Sequence, residues 1–301
     1  MTQQYEVIVP KDKIPLPKKP QHPAIPLRMM QFAFGTLGRV FPKLFANIAF
    51  RFFRTPQRRA KHKVSSPLLE QAQISDLLTG GYMLKTYEWG SGNKTVLLVH
   101  GWESRGTALR HFVPLLLEKG YRVVAFDGPA HGNSSGKRVD IKAFAGAIKA
   151  LTDKYKNIEG LIAHSFGGIA SFYALSNLMP EFNLKKMVLI GVPSKFDYPI
   201  QNALRTMNAP PKVRKYFYEI FEQGIGMPLV NVGVKEVSDK VDVDEVLVVH
   251  DSQDEIVGFE QAEMTIRDWD KAMMQETKGF GHFRLMKSPQ VVERVVEFIC
   301  E

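Results

Sequence analysis

The sequence predicts an α/β fold: a mostly parallel central sheet with helices on both faces. Short apolar runs rich in β-branched residues alternate with helical segments from about residue 74 onward, and crossover units produce such alternation. The run Thr95–His100 lacks the polar alternation of a half-exposed strand, as expected for a strand buried on both faces. The 301 residues are 45% hydrophobic and 24% charged, which is the composition of a globular protein.

The first 66 residues are predicted to form an extension, and the α/β domain is predicted to span residues 67–301. Residues 10–26 contain six prolines, which indicates an extended arm because proline lacks a backbone donor. Residues 27–54 contain 17 apolar residues and five charges, all positive. Their apolar residues recur at helical spacing. Gly35, Gly38 and Pro42 interrupt this pattern and predict two short helices instead of one.

This basic amphipathic extension has two interpretations: a helical pair packed on the domain, or an anchor that meets an anionic membrane surface through residues 27–63. Residues 1–67 carry a net charge of +11, whereas the remainder sums to −2. A nearly neutral remainder argues against nucleic acid as a partner. No transmembrane helix is expected, because cations interrupt the apolar run.

The start of the chain lacks the pattern of a signal peptide, so the expected location is cytoplasmic, with a peripheral position at the inner face of the membrane as the variant. The lone cysteine, Cys300, cannot form a disulfide within the chain or build a cysteine-ligated zinc site.

The elements of the domain follow in chain order. Strands are predicted at Tyr82–Trp89, Thr95–His100, Tyr121–Phe126, Ile158–Ala163, Lys186–Ile190, Val246–His250 and Met273–Thr277. Helices are predicted at Thr107–Glu118, Ile141–Lys154, Phe166–Leu178, Phe259–Ala272 and Gln290–Phe298. Residues 192–240 break the rhythm and are predicted to insert a small, aromatic helical lid.

The most informative segment runs from Leu161 to Ala170 and places Ser165 between an apolar strand and a helix rich in small residues. So tight a turn needs small residues two before and two after the serine, here Ala163 and Gly167. The turn lifts the hydroxyl above the sheet, and the helix N-terminus provides unpaired N–H groups.

Ala163-His164-Ser165-Phe166-Gly167, followed by Gly168, resembles the nucleophile elbow of the α/β-hydrolase fold superfamily, in its esterase and serine-aminopeptidase-like branch. The first glycine of the family's G-x-S-x-G is replaced by Ala163. The resemblance covers about residues 75–301. It implies a serine nucleophile, no metal and no organic cofactor.

Two further segments carry the resemblance. His100-Gly101-Trp102 follows a strand and resembles the family's oxyanion loop, which assigns the oxyanion-binding N–H groups to Trp102 and Phe166. His100 is expected to hold that loop. Asp127–Ser134 resembles the turn after the next strand, in which His131 is expected to be structural.

The order serine, acid, histidine in this superfamily leaves His250 and His282 as candidates for the base. His282 lies in a glycine-flanked loop before the last helix and is the preferred one. The spacing of the family's H-G-x-x-D segment selects Asp254 as the acid. Asp251 is an alternative acid, and Asp197 is a more remote one.

The resemblance thus implies a serine hydrolase of carboxylic esters, acting on small molecules with apolar or lipid-like acyl groups through Ser165, Asp254 and His282. A peptidase or amidase using the same triad and a catalytically silent binding protein are the alternatives. The sequence leaves open the acyl group, the leaving group and the oligomeric state.

Overall fold

The computed structural model describes residues 5–10, 25–60, 67–229 and 232–301. Within them, an eight-stranded sheet runs in the order β1-β2-β4-β3-β5-β6-β7-β8. Pairs β1–β2 and β2–β4 are antiparallel, and the remaining pairs are parallel. The predicted fold class is confirmed. The strands are β1 (Gln73–Thr79), β2 (Tyr82–Trp89), β3 (Thr95–Val99), β4 (Arg122–Phe126), β5 (Ile158–His164), β6 (Leu184–Ile190), β7 (Val243–Asp251) and β8 (Ala272–Thr277).

Helices cover both faces of this sheet. They are α1 (Ile25–Val40), α2 (Pro42–Phe53), α3 (Pro67–Glu70), α4 (Val113–Glu118), α5 (Ile141–Lys154), α6 (Phe166–Tyr173), α7 (Tyr198–Thr206), α8 (Pro211–Ile225), α9 (Val234–Val237), α10 (Glu260–Asp268), α11 (Gly281–Arg284) and α12 (Pro289–Cys300). In β3, Leu97 and Val99 pack into one core, whereas Val96 and Leu98 pack into the core on the opposite face. This two-sided burial explains why the parallel strands read as continuous apolar runs.

Two predicted helices differ in detail from the structure, and one strand was not predicted. The helix expected at Thr107–Glu118 is a 3₁₀ segment, Gly106–Phe112, followed by α4, because Leu109 leaves helical geometry at φ −93° and ψ 17°. The helix expected to reach Ala272 ends at Asp268, and Ala272 begins β8. β1 was not predicted as a strand. It is a half-exposed edge strand, which has only a weak apolar signal.

The proline-rich arm falls largely outside the described residues, but its last residues and the segment that precedes it, residues 5–10, are described. Pro26 lies in the first turn of α1, where a missing backbone N–H has no cost. Ile8 pairs in parallel with Thr277, and its N–H donates to the Glu276 carbonyl at 3.1 Å. This short segment adds to the edge of the sheet at β8.

The helical extension forms two helices divided at Pro42, as predicted, but the glycines do not interrupt α1. Gly38 is buried, and a Cβ there would lie 3.4 Å from Val213 and 3.6 Å from Phe45. These are ordinary van der Waals distances, so Gly38 is a packed position within α1 and not a break in the helix. None of the helices within the described ranges combines the length and apolar character needed to span a membrane.

The extension shares the core of the domain. Phe45 packs edge-on against Phe34 with ring centroids 5.0 Å apart, and both side chains are buried in the same core as the lid helices. Arg54, which caps α2, pairs with Asp140 at 2.6 Å, and Asp140 also caps α5 through the Ala143 N–H. The inner face of the pair is thus part of the domain.

We expect Phe45→Ala to lower the free energy of unfolding by about 3 kcal/mol, because it leaves a cavity in a shared core. Phe41→Ala is the matched control: Phe41 is 54% exposed in the same helical pair, so its loss should change stability by less than about 0.5 kcal/mol. Urea unfolding of both variants measures this. Equal effects would show that the pair lies outside the cooperative core.

Candidate active site

Ser165 occupies the turn between β5 and α6 in a conformation that side chains rarely adopt, with φ 52° and ψ −123°. Its N–H donates to the Ile190 carbonyl at 3.0 Å, and its own carbonyl accepts from the Gly168 N–H at 2.9 Å. The neighbouring strand and the helix thus hold the strained residue from both sides. This is the geometry of a strand–turn–helix elbow.

The two glycines after the serine allow α6 to lie directly against the sheet. A Cβ at Gly167 would be 2.5 Å from the His100 carbonyl oxygen and 2.7 Å from that of Val99, and both are backbone atoms. A Cβ at Gly168 would be 2.4 Å from Val192. Ala163 is fully buried in β5, so its methyl group fits and the closest approach occurs at Gly167.

The loop after β3 approaches the serine through Gly101. A Cβ there would lie 3.1 Å from Ser165 Cβ and 3.0 Å from His164 Nδ1. His100 holds this loop: the Gly128 N–H donates to His100 Nε2 at 2.9 Å, and Nδ1 lies 2.7 Å from the Gly101 carbonyl oxygen. Because Nε2 accepts a hydrogen bond, Nδ1 carries the proton and donates it to that oxygen.

Trp102 and Phe166 are neighbours at the serine. Their rings make an edge-to-face contact with centroids 5.4 Å apart. Phe166 is the first residue of α6, so its N–H is one of the unpaired donors of the helix N-terminus, where the helix dipole is positive.

Asp254 and His282 form a buried pair. His282 Nδ1 donates to Asp254 Oδ2 at 2.7 Å, and Asp254 Oδ1 accepts from the N–H groups of Ile256 and Val257 at 2.8 and 2.9 Å. Burial by itself would raise the pKa of Asp254. The hydrogen bonds from His282 and from the two backbone groups lower it further than burial raises it, so the pKa lies below the usual value. The carboxylate is therefore ionised.

The pair reaches the serine's end of the sheet. Gly191 follows β6, whose Ile190 carbonyl accepts a hydrogen bond from the Ser165 N–H. A Cβ at Gly191 would be 3.2 Å from the His282 ring. Among the described residues, no hydrogen bond joins the Ser165 hydroxyl to His282. In enzymes of this kind, such a bond commonly forms only when substrate is bound.

The two alternative acids have other contacts. Asp251 is fully buried and accepts from the Thr277 hydroxyl at 2.8 Å and from the Phe280 N–H at 2.9 Å. It therefore holds the loop that carries His282 but does not orient the imidazole. Asp197 lies at the start of α7 and accepts a hydrogen bond from Gln201.

Three other histidines near the site are buried: His131, His164 and His250. His164 Nε2 lies 3.0 Å from the His282 carbonyl oxygen, with the two rings 4.6 Å apart. Burial lowers the pKa of His164 to about 3. Burial, together with the neighbouring His100, lowers the pKa of His131 to about 3. Burial also lowers the pKa of His250, which is in contact with the Val257 carbonyl at 2.9 Å.

A pocket of about 370 Å³ opens at Ser165. The lid contributes to its wall, as predicted. The helical extension contributes as well, which was not predicted from the sequence. The only sequence signal was the apolar inner face of the helical pair, which does not say what it covers. The lining residues are Met30, Phe52, Phe53, Thr55, Gln57, Trp102, Glu103, Ser165, Phe166, Ile169, Pro193, Tyr198, Pro199, Asn202, Ala203, Thr206, Met207, Ile256 and Val257.

A second, smaller cavity of about 40 Å³ adjoins this pocket and is almost wholly apolar. The two share five wall residues: Phe53, Trp102, Phe166, Ile169 and Pro199.

Comparisons with known proteins agree with the fold. A family model described as α/β hydrolase fold matches residues 94–231, a span that contains Ser165, Trp102 and Phe166 but ends before Asp254. The chain is similar to a solved esterase structure from Pyrococcus furiosus, with a TM-score of 0.59 and 20% identity over 82% of this chain and 96% of that one. At this identity the likeness shows the fold.

Curated relatives match over shorter stretches. A non-heme chloroperoxidase of Kitasatospora aureofaciens is 34% identical over 84 residues, 27% of this chain and 30% of that protein. A 2-hydroxy-6-oxononadienedioate/2-hydroxy-6-oxononatrienedioate hydrolase of Escherichia coli K12 is 34% identical over 111 residues, 34% of this chain and 37% of that protein. The match thus spans about a third of the length of these relatives.

The buried histidines predict a loss of stability in mild acid. Above pH 6.5 they are neutral in both states; as the pH falls from 6.5 towards about 3, the unfolded chain binds protons that the folded protein rejects. At pH 5, His131 and His164 should each lower the free energy of unfolding by about 2 kcal/mol relative to pH 7.

Urea unfolding at pH 7, 6 and 5 measures this effect. His131→Asn should reduce the dependence of the unfolding free energy on pH by about one histidine's share. A variant with an unchanged pH dependence would contradict the assignment of a neutral, buried His131.

Proposed function

We propose that this chain, which has the α/β-hydrolase fold, is a serine hydrolase that cleaves carboxylic esters with neutral, apolar acyl groups. The observation that carries the proposal is the buried Asp254–His282 pair at the same end of the sheet as the strained Ser165, which lines an apolar pocket. Each of these parts has a role in acyl transfer.

In the proposed mechanism, Ser165 Oγ attacks the ester carbonyl carbon and His282 Nε2 accepts the hydroxyl proton. Asp254 Oδ2, 2.7 Å from His282 Nδ1, accepts the Nδ1 proton in a hydrogen bond. It thereby fixes the tautomer that leaves Nε2 free, and it stabilises the imidazolium. The N–H groups of Trp102 and Phe166 bind the oxyanion. His282 then protonates the departing alkoxide, and water attacks the acyl-enzyme with His282 again acting as base.

The pocket wall favours a neutral acyl group. No lysine or arginine lines the pocket among the residues that the structure describes, and most of the wall is aliphatic or aromatic. The Escherichia coli relative is named for a dienedioate, which carries two carboxylates. A desolvated carboxylate needs a cationic or hydrogen-bonding partner, so the wall supports an apolar ester over a dicarboxylate.

Glu103 supports a second candidate function, an aminopeptidase or amidase that uses the same triad, because a carboxylate in the pocket wall could bind the amino group of a substrate. Its Oε1 already accepts from the N–H groups of Gln57 and Arg58 at 2.7 and 3.2 Å. These hydrogen bonds link the extension to the oxyanion loop through Glu103. Because the carboxylate already has this structural role, we prefer the esterase.

The first experiment is labelling with a fluorophosphonate, followed by assays on p-nitrophenyl esters of rising chain length and on alanine p-nitroanilide. The ratio kcat/KM should rise by up to about fourfold per methylene while the chain enters the apolar pocket. A faster reaction with the anilide would favour the aminopeptidase. A chain that neither takes the label nor hydrolyses any substrate would be a catalytically silent binding protein.

Ser165→Ala should abolish labelling and lower kcat by several orders of magnitude, because the members of a triad act as a unit. Ser171→Ala is the control, since Ser171 lies in the same helix with its hydroxyl bonded to the Gly167 carbonyl at 2.7 Å. Retained activity in purified Ser165→Ala protein would assign the nucleophile elsewhere.

Asp254→Asn should lower kcat by several orders of magnitude with little change in KM, because an amide cannot hold the required tautomer. Asp251→Asn should act chiefly on stability, because Asp251 accepts hydrogen bonds from Thr277 and Phe280 in the buried loop. Measurement of kcat and of urea midpoints for both variants separates the two roles. The opposite result would make Asp251 the acid.

A further inference from the structure

We infer that the outer face of α1 and α2 is a docking surface for a membrane containing anionic lipid, which brings the pocket at Ser165 to apolar substrates in that membrane. Docking to the membrane is argued only from the exposed residues of these two helices. The delivery of substrate rests on the proposed function.

Exposed apolar side chains are concentrated on this helical pair. Within the described residues, it holds nine of the sixteen large hydrophobic side chains that are exposed. Helical spacing aligns them in stripes, and contiguous apolar surface of this kind marks an interaction site. The outer face consists of Ile25, Met29, Phe32, Leu37, Val40, Phe41, Leu44, Ile48 and Phe52.

The charges on the pair favour anionic lipid as the partner. The exposed cations on these helices are Arg28, Arg39, Lys43 and Arg51, and neither helix contains an acidic residue. Cations beside an apolar stripe match a lipid interface, in which headgroups lie next to acyl chains. A second copy of the chain would fit poorly, because a two-fold interface places the same cations opposite one another.

The outer face is continuous with the opening of the pocket. Phe52 is 41% exposed on the outer face and also lines the pocket beside Phe53. Ile256, from the segment that follows Asp251, is 48% exposed and lines the same pocket. A surface that inserts Phe52 among acyl chains would therefore place the pocket opening at the interface.

The inner face holds the helices in place for docking. Phe50 and Phe53 pack edge-on against Phe217 of the lid helix α8, each with ring centroids 5.8 Å apart. The pair needs no folding step when it meets a surface, so no ordering cost reduces its affinity.

The test is co-sedimentation of the full chain with vesicles of phosphatidylcholine, alone or mixed with phosphatidylglycerol. The chain should bind the mixed vesicles more tightly, and salt should weaken that binding. Arg39→Gln, Lys43→Gln and Arg51→Gln together should lower the partition coefficient about 100-fold, since each cation near the surface contributes about fivefold. The combination Phe32→Gln, Leu44→Gln and Ile48→Gln should lower it by a comparable factor.

Matched controls replace exposed residues outside the pair, and both should bind like the unaltered chain. Lys119→Gln, Lys142→Gln and Lys240→Gln remove three exposed cations, and Ile74→Gln, Leu78→Gln and Met83→Gln remove three exposed apolar side chains. Urea midpoints near that of the unaltered chain would show that every variant folds.

Activity separates the two parts of the inference. Both face variants should hydrolyse soluble p-nitrophenyl butyrate at the unaltered rate but lose hydrolysis of an ester embedded in mixed vesicles, in step with binding. If the soluble ester is not hydrolysed by any form, the proposed function fails and the binding result stands.

Three results would overturn docking through this face. The face variants could bind vesicles as tightly as the unaltered chain, or the controls could lose as much binding as the face variants. Light scattering could instead reveal a dimer that the face variants dissociate, which would make the surface an interface between two copies of the chain.

Discussion

The contact between α6 and the end of β3 is the constraint on which the rest of the site depends. At Gly167 the helix lies so close to the sheet that a single added carbon would overlap the carbonyl oxygens of Val99 and His100. Ser165, two residues before Gly167, occupies its positive-φ turn at the same junction. The loop after β3, held by His100, approaches the serine there through Gly101. The close backbone contact at Gly167 thus limits where Ser165 and the surrounding backbone can lie.

Hydrogen bonding gives two acids of one loop different tasks. Asp251 ends β7 and Asp254 lies three residues later. Both are buried, yet their partners differ. Asp251 is occupied by the backbone and hydroxyl donors of the His282 loop, whereas Asp254 faces the imidazole and has its second oxygen held by two backbone N–H groups. The first acid fixes where the histidine loop lies, and the second fixes how the ring is oriented. Removal of either would disturb the same pair for a different physical reason.

How much could be predicted from the sequence depended on how far apart along the chain the interacting residues lie. The parallel strands and the turn at Ser165 were accessible, because apolar periodicity and small-residue spacing are local signals. Spacing selected Asp254 as the acid, but Asp251 and Asp197 stayed open as alternatives. The sequence could not exclude Asp251, because the long-range hydrogen-bond partners of Asp251 and Asp254 lie about 26 to 29 residues away. β1 was missed because a half-exposed edge strand has no apolar run. The pairing of Ile8 with β8 and the entry of Phe52 and Phe53 into the pocket wall join segments too distant in sequence for any local pattern to connect.

One helical pair can fit both interpretations that the sequence presents as alternatives, namely packing on the domain and contact with a membrane surface. Its inner residues, such as Phe45 and Ala46, are buried in the domain core, while Phe32 and Leu44 remain exposed beside cations. An amphipathic helix with a polar outer face would need only the first set. Burial in the core explains the first set but gives no reason for the second, because an exposed phenylalanine gains nothing from packing that it does not make. The two sets therefore answer separate constraints, one from the domain and one from a surface outside it. Phe53 of the inner face and Phe52 of the outer face both line the pocket, so a surface that the outer face contacts would adjoin the pocket.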